Sequence, residues 1–306
     1  MMINQEYRGS IYAILSGFLY GFIGYFGLNA INGNLSASTM LFWRFLISSM
    51  IILIIMLPKI KKTNDSYKNM AIAFLTGVFF YGISTWLYFL ASLYIGSGLA
   101  MVIFFTYPVL IMLINYFLYG QSIPHIYYFA ILVILIGMVL MVDFDALSFD
   151  LWGILLGIAS AFFYACYVIG SKRNELSPNM STFMVCLGCM VTSLFVSLFN
   201  HSFSTPSSVD VWYHLLGISI IATVIPIILL LYSLKYISSE KASILSVLEP
   251  VFVVIFGVFL LGEEVSLWGV VGIVLVLAGA LITLFSHKIN LGQLKFQFMR
   301  RSEDVG

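Results

Sequence analysis

Glu249 and Pro250 stand side by side inside the run ASILSVLEPVFVVIFGVFLLGEE, which begins at Ala242 and otherwise reads as lipid-soluble helix. A carboxylate at the centre of a membrane helix costs on the order of 3 kcal/mol on insertion scales, so it should face a cavity or a partner. Pro250 has no N–H for the carbonyl of Ser246, which leaves that oxygen to water, a side chain or a substrate amine. Charge and freed carbonyl within one turn could receive a cationic or zwitterionic ligand, or bind and release a proton. The competing reading is a structural carboxylate held by a Tyr or Ser, with Pro250 only kinking the helix. Arg44 is the one base inside a hydrophobic run. It reads either as an anchor whose long side chain snorkels outward or as a contact for an anion or carboxylate. By span arithmetic it lies about 8 Å further out than Glu249 along the membrane normal. A direct ion pair between them therefore requires neighbouring helices and side chains that both reach.

Around these charges the chain is rich in aromatics, and several fall mid-span rather than at headgroup level: Tyr20, Tyr81, Trp86, Tyr107, Tyr164 and Tyr167. A tyrosine at that depth needs a partner for its hydroxyl, so the set implies an amphipathic cavity or gate, with packing as the alternative for each one. Pro108, Pro226 and Pro250 are hinge candidates; Pro226 frees the carbonyl of Ala222. Cys166, Cys186 and Cys189 lie in apolar segments and read as packing residues. The C-x-x-C of Cys186 and Cys189 has no histidine cluster or second pair beside it, so no metal site is expected. His125, His201, His214 and His287 are scattered near span ends. No phosphate loop, H-E-x-x-H or G-x-S-x-G occurs, and no catalytic group can be assembled.

The elements that must position these residues are membrane helices. Of the 306 residues 61% are hydrophobic and only 9% charged, far from the composition of a soluble domain. Apolar runs of about 20 residues follow one another, each able to cross a hydrocarbon core of about 30 Å. Breaks at charges and turn residues divide the chain into ten expected spans, near 9–30, 37–57, 69–92, 98–119, 125–142, 151–171, 180–199, 213–234, 242–261 and 267–286. With the N-terminus inside, the inner loops hold Arg8, Lys59, Lys61, Lys62, Lys68, Lys172, Arg173, Lys235, Lys241, Lys288, Lys295, Arg300 and Arg301, and the outer loops only acids, among them Asp143, Asp145, Asp150, Asp210, Glu263 and Glu264. That asymmetry satisfies the positive-inside rule and puts both termini in the cytoplasm; Lys235 and Lys241 read as orientation signals, not ligand contacts.

The chain also repeats itself. A shift of 142 residues lays FTYPVLIMLINYFLYGQ on VLEPVFVVIFGVFLLGE, placing Pro108 on Pro250, Tyr107 on Glu249 and Gly120 on Gly262. A shift of 144 lays GSIYAILSGFLYG on GILLGIASAFFYA, with Ser16 on Ser160 and Tyr20 on Tyr164. The expected fold is therefore an all-α polytopic membrane protein of ten transmembrane helices, built as two five-helix repeats over 1–145 and 146–288, with a cytoplasmic tail at 289–306. Five being odd, the second copy runs through the membrane inverted, the recurrent plan of secondary transporters. Glu249 and Arg44 have no charged counterpart in the other repeat, so the shared fold does not need them.

FWRFLISS in the second span, KASILSVLEPVFVVIFGVFLLGEE in the ninth and GVVGIVLVLAGALI in the tenth carry a resemblance to the drug/metabolite transporter superfamily, specifically its ten-helix EamA-type exporters. The resemblance covers both halves. It implies a bacterial inner membrane, a central cavity lined by spans one, three, four, six, eight and nine, and outward movement of amino acids, other metabolites or toxic compounds. The resulting expectation is export of a small amphipathic metabolite, such as an amino acid or amine, by alternating access. Glu249, Ser246, Arg44 and Tyr107 would form the substrate or proton site. Passive facilitation and a membrane-embedded enzyme or sensor are the competing readings. The expected partners are a small-molecule substrate and the lipid bilayer, with no nucleic acid and no cofactor; a homodimer is left open.

Overall fold

The computed structural model describes the backbone of residues 2–58, 65–142, 150–262 and 264–303, and side chains within those ranges from residue 5 to residue 286. Lys59, Lys61, Lys62, Asp143, Asp145, Glu263 and the side chains of the tail lie outside the described residues, as does the join between the two expected repeats. Within them the chain is helical. Eight stretches are long and apolar enough to cross a membrane, and two shorter apolar helices, Tyr107–Tyr119 and His125–Leu140, stand between the third and fourth of these. Their outward faces carry large apolar side chains in the open, Phe117, Phe195, Phe199, Phe259 and Trp268 among them. Water would not tolerate so much; lipid does.

The first stretch is α1 (Met2–Tyr20) and α2 (Ile23–Asn32), interrupted at Gly21–Phe22. Then come α3 (Ala37–Met56), α4 (Tyr67–Thr76), a π-helical turn over Gly77–Gly82, and α5 (Ile83–Phe104). Helix α5 is bent at Gly96, whose φ of 77° and ψ of 156° no other residue type adopts readily, so the expected third and fourth spans part there. Helices α6 (Tyr107–Tyr119) and α7 (His125–Leu140) complete the first half. The second half holds α8 (Leu151–Arg173), α9 (Pro178–Phe199), α10 (Val209–Ser219), a π-helical turn over Ile220–Val224, and α11 (Ile225–Tyr236). It ends with α12 (Ser239–Ser246), α13 (Glu249–Phe256), a third π-helical turn over Gly257–Leu261, and α14 (Leu267–Glu303).

Some of the irregularities repeat with the sequence. The turn at Phe105–Thr106 falls on the turn at Val247–Leu248, the π-helical turn over Gly77–Gly82 on that over Ile220–Val224, and the left-handed Gly120 on Gly262. Packing repeats as well. Ser16 Oγ donates to the Pro226 carbonyl at 2.8 Å, and its counterpart Ser160 Oγ donates to the Ser84 carbonyl at 2.8 Å. Gly9 meets Tyr236 as Gly153 meets Tyr94, so α1 lies antiparallel on α11 and α8 antiparallel on α5. Gly137 and Gly272 sit backbone to backbone between antiparallel α7 and α14, while Ser38 at the start of α3 meets Ser202 just beyond the end of α9. One expectation fails at this level: α12 begins at Ser239, so Glu240 and Lys241 are buried helix residues, not loop residues.

Candidate functional site: a central aromatic cavity with one free carboxylate

The candidate residues cluster where helices are interrupted. Tyr20 is the last residue of α1, Glu249 the first of α13, Tyr107 the first of α6, and Tyr81 lies in the first π-helical turn. Interruption turns a side chain off the helix face that neighbours would otherwise cover, and leaves backbone polar groups to be satisfied within the protein.

Tyr20, Tyr81, Tyr164, Arg44 and Glu249 line one cavity of ≈ 170 Å³. Its remaining wall comes from residues that the sequence did not single out, notably Ser84, Tyr88, Phe89, Met101 and Phe104 on α5, with Val253 on α13. The repeat held a signal for part of that wall, because Ser84 falls on Pro226, the residue that Ser16 grips. The aromatics form a connected set. Tyr81 stacks on Tyr167 with centroids 4.7 Å apart, Tyr107 meets Tyr164 edge-on at 4.7 Å, and Phe104 meets Tyr164 at 5.1 Å. Tyr107, Tyr167 and Ser246 stand behind the lining. The Tyr107 hydroxyl donates to the Ser243 carbonyl at 3.3 Å, and Ser246 Oγ donates to the Ala242 carbonyl at 2.9 Å. The Ser246 carbonyl that Pro250 frees packs against Gly17 of α1. Trp86 lies elsewhere, on an apolar groove between α5 and α9 with Phe79 and Phe195.

The two charges on the cavity differ in occupation. Arg44 Nε donates to Thr223 Oγ1 at 2.5 Å and an Nη donates to the Ala222 carbonyl at 3.0 Å. Ala222 is four residues before Pro226, so this is the carbonyl that the proline leaves without an N–H. Ser48 and Ser219 hydroxyls both donate to the Arg44 carbonyl, at 2.7 and 3.0 Å. Arg44 thus ties α3 to the second π-helical turn. In the other half the equivalent joint carries no charge. Thr192 Oγ1 donates to the Val78 carbonyl at 2.8 Å, Cys189 Sγ reaches the Gly77 carbonyl at 3.5 Å, and Gly188 packs directly on that turn. Cys186 and Cys189 are buried thiols outside any disulfide. Glu249, by contrast, has neither a hydrogen bond nor an ion pair for its carboxylate among the described residues; the ion pairs found there are Lys241–Glu6 and Asp210–His214. The Tyr20 hydroxyl is buried beside Tyr81 and makes no hydrogen bond of good geometry. A carboxylate without a hydrogen bond, tyrosine hydroxyls and aromatic faces on one cavity are groups that attract a cation or ammonium group.

Comparison with known proteins places this arrangement. The EamA-like transporter family model matches residues 7–143 and again residues 151–285, nearly the whole chain in two copies. The chain belongs to the EamA-like transporter family. It is therefore a polytopic membrane transporter of the drug/metabolite type. An uncharacterized transporter of Archaeoglobus fulgidus is 32% identical over 152 residues, which is 48% of this chain and 53% of that relative. An uncharacterized transporter of Bacillus subtilis is 24% identical over 289 residues, 92% of this chain and 91% of its own length. A solved crystal structure shares the fold, with a TM-score of 0.79, 16% identity, and coverage of 92% of this chain and 98% of the other. The doubled EamA-like match coincides with the internal repeat of sequence and packing.

Proposed function

We propose that this EamA-like protein is a secondary transporter that exports a small amphipathic amine or amino acid across a bacterial cell membrane. In this reading it has ten spans in two inverted five-helix halves, 1–145 and 146–288, and both termini are cytoplasmic. The supporting observation is how the two charges are held: among the described residues no hydrogen bond is made by the Glu249 carboxylate, whereas two of the Arg44 guanidinium's donors are taken by Ala222 and Thr223. The substrate's ammonium group would sit on Glu249 and its apolar part against Tyr20, Tyr81, Phe104 and Tyr164. A proton and an ammonium group compete for the same carboxylate, so export of substrate would be exchanged for protons moving inward. Arg44 is a positioning residue that holds the α10–α11 joint. The antiparallel meetings of α7 with α14 and of α1 with α11 fit two halves rocking about a shared centre.

Proteoliposomes test this directly. Amines and amino acids should leave preloaded vesicles that contain the protein, faster when protons are driven in the opposite sense. Efflux that ignores the gradient would replace exchange by passive facilitation; absence of flux for every candidate would overturn the reading.

A further inference from the structure

Helix α12 leads into the short break just before Glu249. All eight residues of α12 are buried. Its counterpart by the repeat, residues 97–104 in α5, is mostly partly exposed, and Met101 and Phe104 in it line the cavity. Two equivalent segments thus differ: one is wholly buried, while the other lines the site through Met101 and Phe104. Glu240 and Glu249 are nine residues apart in the chain, about 13 Å at helical rise, so Glu240 lies roughly two turns below the Glu249 carboxylate.

Charged and polar links from the first half grip α12 from two sides. Lys241 Nζ lies 2.6 Å from Glu6 Oε1 on α1. Asn115 on α6 donates to Ser239 Oγ at 3.0 Å and to the Glu240 carboxylate. Asn115, Ser239 and Glu240 also border a polar pocket of ≈ 480 Å³ at that end, so the links sit at the rim of a vestibule. The repeat gives the opposite end no such links: Glu6 falls on Asp150, but Lys241 falls on Leu99, Glu240 on Gly98 and Asn115 on Gly257.

We propose that the Glu6–Lys241 pair and the Asn115–Glu240 link form a latch that holds α12 shut at the end bearing the N-terminus. The opposite closure, by residues 97–104, rests on apolar contact alone. The substrate-free protein therefore rests with its cavity open away from the N-terminus, the outside under the orientation of the reading above, on which this inference rests. Opening the latch breaks two polar links between the halves and must be offset by closure of residues 97–104 over the site.

Hydrogen–deuterium exchange of the purified full-length protein tests the latch without substrate or gradient, so a silent flux assay leaves this readout intact. In Lys241→Met or Glu6→Gln, exchange in 239–246 should rise about ten-fold, the equivalent of ~1.4 kcal/mol, while exchange in 97–104 slows. Asn115→Leu should act in the same direction, and Glu6→Lys combined with Lys241→Glu should restore protection. Unchanged exchange in 239–246, or faster exchange in both segments together, would overturn the latch.

Discussion

Arg44 and Glu249 face the same cavity, but only Arg44 is held by hydrogen bonds from its side chain to the protein. The guanidinium satisfies a carbonyl stranded by Pro226, and leaving such a buried acceptor unpaired costs about 1–3 kcal/mol. Arg44→Met should therefore lower the melting temperature in detergent and leave the affinity of an amine substrate within a few-fold, read by binding calorimetry. Lost affinity at unchanged stability would instead make Arg44 a substrate ligand. The sequence shows that both charges are buried and that Pro226 frees the Ala222 carbonyl. It does not join the two facts, because nothing in a single chain's spacing says that α3 lies beside the α10–α11 joint. Trp86 illustrates the same limit: depth along a span is legible, but the face of a helix that is apolar all round is not. Glu240 and Lys241 were hidden for the opposite reason. Charged residues at a span end read as solvated, and only tertiary contact with Glu6 and Asn115 reveals them as buried.

At the scale of elements, the interruptions do the positioning. The breaks before Pro108 and Pro250 and the left-handed Gly120 and Gly262 are written in the repeat. The π-helical turns are not, because what holds a widened turn is a neighbour's side chain or a neighbour's lack of one. Gly188 packs on the turn over Gly77–Gly82: a Cβ there would sit 2.6 Å from the Val78 nitrogen and would also strike the Phe74 carbonyl. Gly188→Ala should cost about 1–3 kcal/mol through overpacking and displace the turn that carries Tyr81. Gly24→Ala, whose Cβ would meet only Val253 at 3.5 Å, should be tolerated, although Gly24 borders the cavity. Thermal melts of the two variants in detergent check this, and equal losses would contradict the account of the joint.

For the whole molecule, near-symmetry of the halves and asymmetry of their charges carry different information. The symmetric features, the paired serine bonds and the matched breaks, build the scaffold that the two halves share. Glu249, Arg44, Glu240 and Lys241 lack charged counterparts, so they assign distinct work to the two halves. The central claim is that Glu249 carries the substrate's ammonium group. It is tested most directly by profiling extracellular metabolites of cells expressing wild type, Glu249→Gln or an empty vector, at matched levels of protein in the membrane. The account predicts that one class of amine or amino acid accumulates outside only with wild type, and that Glu249→Gln matches the vector. Equal export by wild type and Glu249→Gln would contradict it and make the carboxylate a structural residue.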